Sequence, residues 1–307
     1  MPRVAIVGSG LIGRSWAIVF ARAGFDVALY DAASGVAERA RELVIAALRD
    51  PENSGRPDAA AAESRVHAVG SVADAVAGAA LVQENLPEVL ALKREIFAEL
   101  DRLAPADAVL ASSTSGIVAS RFTENLAGRH RCLVAHPVNP PHLVPVVELV
   151  GAPWTAPDVV ARAKAIYEAV EQVPIVVRRE IDGFILNRLQ AALLSEAFRL
   201  VGEGYVSPQD VDKTVQDGLG LRWSFMGPFA TIELNAPGGI PDYCRRYGES
   251  LARLSGASPE IYGGENLDRI LAEWGQAPTR DRIATRMRWR DRRLAALTAH
   301  KRAQPPD

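Results

Sequence analysis

The chain is poor in cysteine, in lysine and in long apolar runs. Its 307 residues include two cysteines, Cys132 and Cys244. Two cysteines that far apart make neither a disulfide framework nor a metal-ligand spacing, so no metal site is expected. Cys132 lies in Cys132-Leu133-Val134-Ala135 and reads as a small core residue. This cysteine usage fits a reduced, cytoplasmic compartment. No apolar run approaches the roughly 18 to 20 residues of a membrane-spanning helix. The first strand begins almost at the N-terminus, which leaves no room for a signal peptide. A net charge of −2 supplies no general attraction to nucleic acid or to a membrane surface. Only Lys93, Lys164, Lys213 and Lys301 stand among 35 basic residues, an arginine bias that reads as composition rather than function. No repeat of solenoid or propeller period is visible.

What is present is a globular composition, 48% hydrophobic and 23% charged, in a chain long enough for two ordinary domains. It opens on Val4-Ala5-Ile6-Val7-Gly8-Ser9-Gly10-Leu11-Ile12-Gly13. Four apolar residues read as a buried strand, three glycines follow at G-x-G-x-x-G spacing, and Arg14 to Ala21 has helical character. A second strand, Val27 to Tyr30, ends in Asp31, 18 residues after Gly13. Gly8 permits the tight turn, Gly10 lets the backbone approach a pyrophosphate at the helix N-terminus, and Gly13 lets the helix pack on the sheet. A carboxylate at the tip of the second strand accepts hydrogen bonds from the adenosine ribose and repels a 2′-phosphate. NAD is therefore expected over NADP, with Gly8, Gly10, Leu11, Ile12, Gly13 and Asp31 as cofactor-binding residues.

Further along, helical patterns at 34–49, 89–103 and 157–170 alternate with apolar strands at 66–69, 79–82, 108–111, 131–135, 144–149 and 175–177. Pro51 to Ala62 reads as a loop opening into a short helix, and Ser71 with Asp74 as a variant capping box. Strands alternating with helices predict an α/β fold, a doubly wound and mostly parallel Rossmann-type sheet. Polar clusters fall at the strand tips, where such sheets bind ligands. After residue 180 the texture changes: Phe184 to Val201 is a long amphipathic helix, and helical or irregular segments continue to the end. We expect a cofactor domain at 1–180 and an all-helical domain for substrate binding and dimerisation at 181–307. The arginine-rich last helix (Arg286, Arg288, Arg290, Arg292, Arg293), interleaved with Trp289 and Leu294, reads as a solvated or packing face rather than a nucleic-acid patch.

The sharpest chemical segment is Val134-Ala135-His136-Pro137-Val138-Asn139-Pro140-Pro141, followed by Val147-Glu148-Leu149. A nicotinamide enzyme that oxidises a secondary alcohol needs a base for the hydroxyl proton, and histidine titrates near working pH. A carboxylate on its other ring nitrogen would fix the tautomer. His136 and Glu148 meet if the second strand runs back antiparallel. Taken alone, His136 also fits a satisfied strand-end histidine. Glu148 among valines and leucines is poorly placed unless paired.

These residues resemble the 3-hydroxyacyl-CoA dehydrogenase superfamily, in particular its λ-crystallin branch, whose enzymatic member is L-gulonate 3-dehydrogenase. The resemblance covers nearly the whole chain. It runs through Val7 to Trp16, Val134 to Pro141, Glu180-Ile181-Asp182-Gly183-Phe184 and Asn187-Arg188-Leu189-Gln190. It continues in Asp217 to Arg222, Leu234-Asn235-Ala236 and Trp289-Arg290-Asp291. It implies His136 as catalytic base and Glu148 as its orienting partner. It also implies Ser115 and Asn187 on the reacting oxygen, Glu88 and Lys93 on the nicotinamide-ribose side of NAD, and Asn139 beside the nicotinamide. Without the resemblance, Glu88 and Lys93 read as a pair at a helix start, Asn187 as a helix polar residue and Ser115 as a helix N-cap.

The resemblance further implies oxidation of a small 3-hydroxy acid in a dimeric enzyme, with L-gulonate the first substrate to consider. Short-chain 3-hydroxyacyl-CoA, carnitine and a crystallin-like structural protein that keeps NAD binding are alternatives. Acyl-CoA members carry lysine and serine after the second strand; here residues 49–66 contain no lysine, although Arg56 and Arg65 remain. A loop after Leu219 offers Arg222, with Asn235, as a carboxylate partner. Arg222 bracing the domain interface is the competing reading.

Overall fold

The computed structural model describes residues 2–50, 59–275 and 279–304. The expected loop from Pro51, and Arg56 within it, lie outside the described residues. Two compact units divide at Leu193/Leu194. The first is an eight-stranded sheet: β1 (Arg3–Val7), β2 (Asp26–Tyr30), β3 (Val66–Ala68), β4 (Ala79–Glu84), β5 (Val109–Ser112), β6 (Cys132–Pro137), β7 (Val146–Gly151) and β8 (Val173–Val177). Their spatial order is β3-β2-β1-β4-β5-β6-β7-β8. All neighbours run parallel except β6 and β7. The fold class expected from the sequence is the one found.

The strands are apolar on both sides because both faces are covered. Val4 and Ile6 of β1 point into one cluster with Trp16, Phe20 and Tyr167, while Ala5 and Val7 point into the other with Phe97 and Phe122. The first face carries helices α1 (Leu11–Arg22), α2 (Val36–Arg49) and α3 (Ala59–Glu63). The second carries α4 (Val72–Val76), α5 (Leu90–Leu103) and α6 (Ser120–Thr123). Helix α7 (Pro157–Ala169) returns to the first face, and α8 (Leu186–Gly202) leads out of the unit. Ser71 caps α4 by accepting from the Asp74 amide at 3.1 Å. Strand order reverses between β1 and β4, so the loops after those strands splay apart at the point where doubly wound sheets bind ligands.

Three sequence expectations shift in detail. The strand expected from Val144 begins at Val146, because the amides of Leu143 and Val144 turn back onto the Pro140 carbonyl. The helix expected from Phe184 begins at Leu186, because Gly183 and Phe184 are left-handed (φ 75° and 49°). The loop expected around Arg222 and Trp223 is instead a single helical turn that continues a π-helical stretch, Thr214–Leu219.

The second unit is helical throughout its described residues, as expected for the C-terminal part: α9 (Pro208–Lys213), α10 (Gly220–Trp223), α11 (Pro228–Leu234), α12 (Gly239–Ser255), α13 (Gly264–Trp274) and α14 (Arg280–Ala303). Its arginine-rich last helix packs. Arg286 and the Trp274 indole both bond to buried Glu233, and Arg293 stacks on Trp289. No helix of the described residues is long and apolar enough to cross a membrane.

Under the tips of β4 and β5 lies a buried ion pair. Lys93 on α5 sits 3.1 Å from both oxygens of Glu84, and its side chain is 1% exposed. Glu84 also accepts from the Ser112 hydroxyl and the Leu86 amide, each at 2.5 Å. Burial pushes the Glu84 carboxyl above its ordinary range, against the pull of Lys93 and Ser112. Breaking such a pair leaves an uncompensated buried charge. Lys93→Met is expected to cost about 3–5 kcal/mol, read as a fall in the urea midpoint. Adding Glu84→Leu should recover much of the loss, and a double variant no better than the single would refute this.

Candidate active site

The turn after β1 is built for close approach. Gly8 has φ +92°, and a Cβ there would lie 2.9 Å from the Asn85 backbone. A Cβ on Gly13 would lie 2.0 Å from the Gly8 carbonyl oxygen. Packing thus dictates both glycines. Gly10 differs: a Cβ there would meet nothing within 4 Å. No side chain caps α1, and its first turn holds no acidic residue. The open space and free amides over Gly10 fit a pyrophosphate, which explains a glycine that the protein's own packing does not require.

Asp31 stands at the tip of β2, its carboxylate accepting from the Ser9 amide at 2.9 Å and the Ala33 amide at 3.1 Å. It lines a cleft of about 640 Å3 with Gly8, Gly10, Asn85, Leu86 and Glu99. The residues present therefore fit an adenine dinucleotide: Gly10 and the α1 amides for the phosphates, Asp31 for the ribose.

The second half of the site grows from the one antiparallel pairing. The β6–β7 register sets His136 directly opposite Glu148. Both side chains are buried, and His136 Nδ1 lies 2.8 Å from Glu148 Oε2. The other oxygen, Oε1, accepts from the backbone amides of Ile185 at 2.8 Å and Leu186 at 2.9 Å. These amides open α8, so the carboxylate also sits at the positive end of a helix dipole. Burial alone would raise the Glu148 carboxyl, but the hydrogen bonds to His136, Leu186 and Ile185 outweigh it and hold it below the ordinary range. An ionised Glu148 accepts from Nδ1–H and leaves Nε2 as the basic nitrogen. Among the described residues Nε2 makes no hydrogen bond. The ring of Phe184 covers the imidazole at a centroid distance of 5.4 Å.

Asn187, one residue into α8 from Leu186, donates its Nδ2 to the Ser115 carbonyl at 2.8 Å. The structure therefore brings Ser115 and Asn187 together. Ser115 is not a helix cap but an exposed loop residue. Glu88 supports that loop, accepting from Thr114 and from the Gly116 amide at 3.1 Å. Lys93 lies 3.9 Å from Glu88 but spends its donors on Glu84 and its surroundings. Asn139 is exposed in the turn after β6, where its peptide bond to Pro140 is cis. In the second unit Arg222 is half-buried on α10, and Asn235 is exposed at the end of α11, on a groove with Ile283 and Met287.

Sequence reading missed Phe184 as a lid on the imidazole and Glu84 as partner of Lys93. The second had a visible signal, the polar run Gln83-Glu84-Asn85 closing an apolar strand. The first had none, because a phenylalanine ahead of an amphipathic helix reads as part of it.

Comparison with known proteins divides the chain between residues 181 and 183, ahead of the Leu193/Leu194 boundary of the two compact units. The model for the 3-hydroxyacyl-CoA dehydrogenase NAD-binding domain matches residues 3–181, and that for the C-terminal domain matches 183–275. The chain belongs to the 3-hydroxyacyl-CoA dehydrogenase family. It is 43% identical over 312 residues to Lambda-crystallin homolog from Rattus norvegicus, covering 99% of this chain and 97% of that one. It is 41% identical over 250 residues to L-carnitine dehydrogenase from Streptomyces griseus, covering 81% of this chain and 74% of that one. Its fold superposes on the 3-hydroxyacyl-CoA dehydrogenase of Archaeoglobus fulgidus with a TM-score of 0.78 and 26% identity, over 99% and 100% of the two chains. The protein is thus a member of a family of NAD-dependent oxidoreductases that act on CH–OH groups, and its cofactor is NAD.

Glu148→Gln keeps the shape but loses the negative charge that orients Nδ1–H. Turnover is expected to fall about a hundredfold or more, measured as NADH formation. Because the Glu148 carboxyl is lowered in the fold, its stabilisation is present above the ordinary carboxylate pKa of about 4.3 and lost as pH falls through the lowered value. Wild-type urea stability should therefore decline more steeply on acidification than that of Glu148→Gln. Parallel profiles would contradict the assignment.

Proposed function

We propose that this protein oxidises a small free 3-hydroxy acid at C3, with L-gulonate as the leading substrate and 3-dehydro-L-gulonate as product. The observation that carries the reading is the His136–Glu148 dyad, with its basic Nε2 uncommitted. Nε2 takes the proton of the C3 hydroxyl, and NAD, when held by Gly10, the α1 amides and Asp31, would supply the hydride acceptor for that carbon. Glu148 stabilises the imidazolium that forms. Asn187 retains an N–H beyond the one given to Ser115, and with the Ser115 hydroxyl it binds the oxygen as it becomes a carbonyl. Asn139 and Glu88 serve the nicotinamide-ribose end of the cofactor, and Lys93 stands behind Glu88, 3.9 Å from its carboxylate.

Two observations favour a free acid over a thioester. One relative is an L-carnitine dehydrogenase, and carnitine is a small hydroxy acid without CoA. The segment after β2 lacks the lysines that would meet CoA phosphates. Arg222 makes no ion pair among the described residues and supplies the fork for a substrate carboxylate, with Asn235 as second donor. The same α8 that anchors Glu148 has no buried residue, and Leu189 and Phe198 are 63% and 77% exposed. That surface supports a homodimer, and two cysteines that both stay free suit a reduced, cytoplasmic setting.

The test is NADH formation with L-gulonate, carnitine, 3-hydroxybutyrate and 3-hydroxybutyryl-CoA side by side. L-gulonate should give the highest kcat/KM, and His136→Ala should abolish it. Arg222→Ala should raise the hydroxy-acid KM about tenfold or more with little change in NAD affinity. Turnover of the thioester alone would overturn the free-acid reading.

A further inference from the structure

Beneath both halves of the site runs a chain of buried hydrogen bonds that the mechanism above does not use. Tyr167 on α7 donates its hydroxyl to Gln83 Oε1 on β4. Gln83 Nε2 donates to the Ser113 hydroxyl at 2.7 Å and toward the Ala135 carbonyl at 3.4 Å. Ser113 also accepts from the Trp16 indole at 3.1 Å and donates to Asn85 Oδ1 at 2.7 Å. Asn85 Nδ2 returns to the Gln83 carbonyl at 2.8 Å. Gln83, Tyr167 and Trp16 are each 0% exposed.

The direction of this chain is determined. The Ala135 carbonyl can only accept, so the Gln83 amide must turn its nitrogen that way and its oxygen toward Tyr167. The Ser113 hydroxyl, with one donor and two acceptor sites, is then fully used. Each contact also belongs to a working segment. Trp16 lies on α1, the helix that faces the cofactor phosphates. Asn85 lines the cofactor cleft, and its backbone meets the Gly8 turn. Ser113 is two residues from Ser115, and Ala135 adjoins His136. A leucine or valine at 83, like neighbouring Leu81 and Val82, would fill this interior without the cost of burying an amide. A fully satisfied polar network gives instead a single geometry.

We propose that Gln83 is a positioning residue for the reaction, holding the cofactor cleft and the His136 strand in one mutual arrangement through Ser113. It touches neither substrate nor cofactor and acts through Ser113, Asn85 and Ala135. The inference rests on the dehydrogenase reading but can be tested apart from its substrate.

Gln83→Glu is nearly isosteric and, when ionised, has no donor for Ser113 or Ala135. It should lower kcat about tenfold or more and weaken NADH binding, followed by fluorescence, about threefold. Both losses should shrink as pH falls from about 8 to about 6, where a buried carboxyl protonates and donates again; kcat is followed in the ketone-reducing direction. A merely structural role predicts losses that ignore pH. Should Gln83→Glu fail to fold, Tyr167→Phe removes only the hydroxyl that orients the amide, and kcat should fall about threefold. Variants with wild-type kcat and NADH affinity, or Gln83→Glu losses independent of pH, overturn the proposal. The fluorescence titration needs no substrate. A wild-type protein inert toward every hydroxy acid would therefore sink the substrate reading and leave this inference decidable.

Discussion

The catalytic half of the site depends on one carboxylate placed at the start of one helix. Glu148 is buried on a strand and would be unaffordable there without partners. It has three: the His136 imidazole and the two amides that open α8. Those same amides precede Asn187, so the base, its orienting acid and the oxygen-binding amide form one construction. The left-handed turn at Gly183 and Phe184 is what aims the helix start at the sheet. Strand register completes it. A slip of one residue between β6 and β7 would send Glu148 to the opposite face from His136.

Much of this was legible in the sequence, for identifiable reasons. The G-x-G-x-x-G turn and the acid after β2 are local patterns whose spacing carries the geometry, and the structure places them around one cleft. The pairing of His136 with Glu148 required only that the intervening turn reverse the chain. A carboxylate flanked by valine and leucine is a strong demand for a partner, and His136 was the nearest candidate. Asn139 to Pro145 supplied the reversal.

What was not legible lies one layer deeper. Lys93 stood out as a rare lysine, yet its sequence neighbours pointed to Glu88, while the fold gives its shortest contacts to Glu84. Gln83 and Tyr167 are 84 positions apart, and no local pattern announces that they meet. The start of α8 was misread by two residues because the amphipathic period continues back through Phe184. Only the backbone conformation, set by the need to cover His136 and reach Glu148, ends the helix there. In each case a long-range contact overrides a sound local reading.

The latch between Asp31 and the glycine turn bears on attempts to re-engineer cofactor preference. Replacing the acid that repels a 2′-phosphate is the obvious first move toward NADP. Here the same carboxylate holds the Ser9 amide, so an alanine at position 31 would release the turn that cradles the phosphates along with the charge. A successful redesign has to separate the two duties, keeping a neutral acceptor such as asparagine at 31 and introducing the new cation at a neighbouring position such as Ala32.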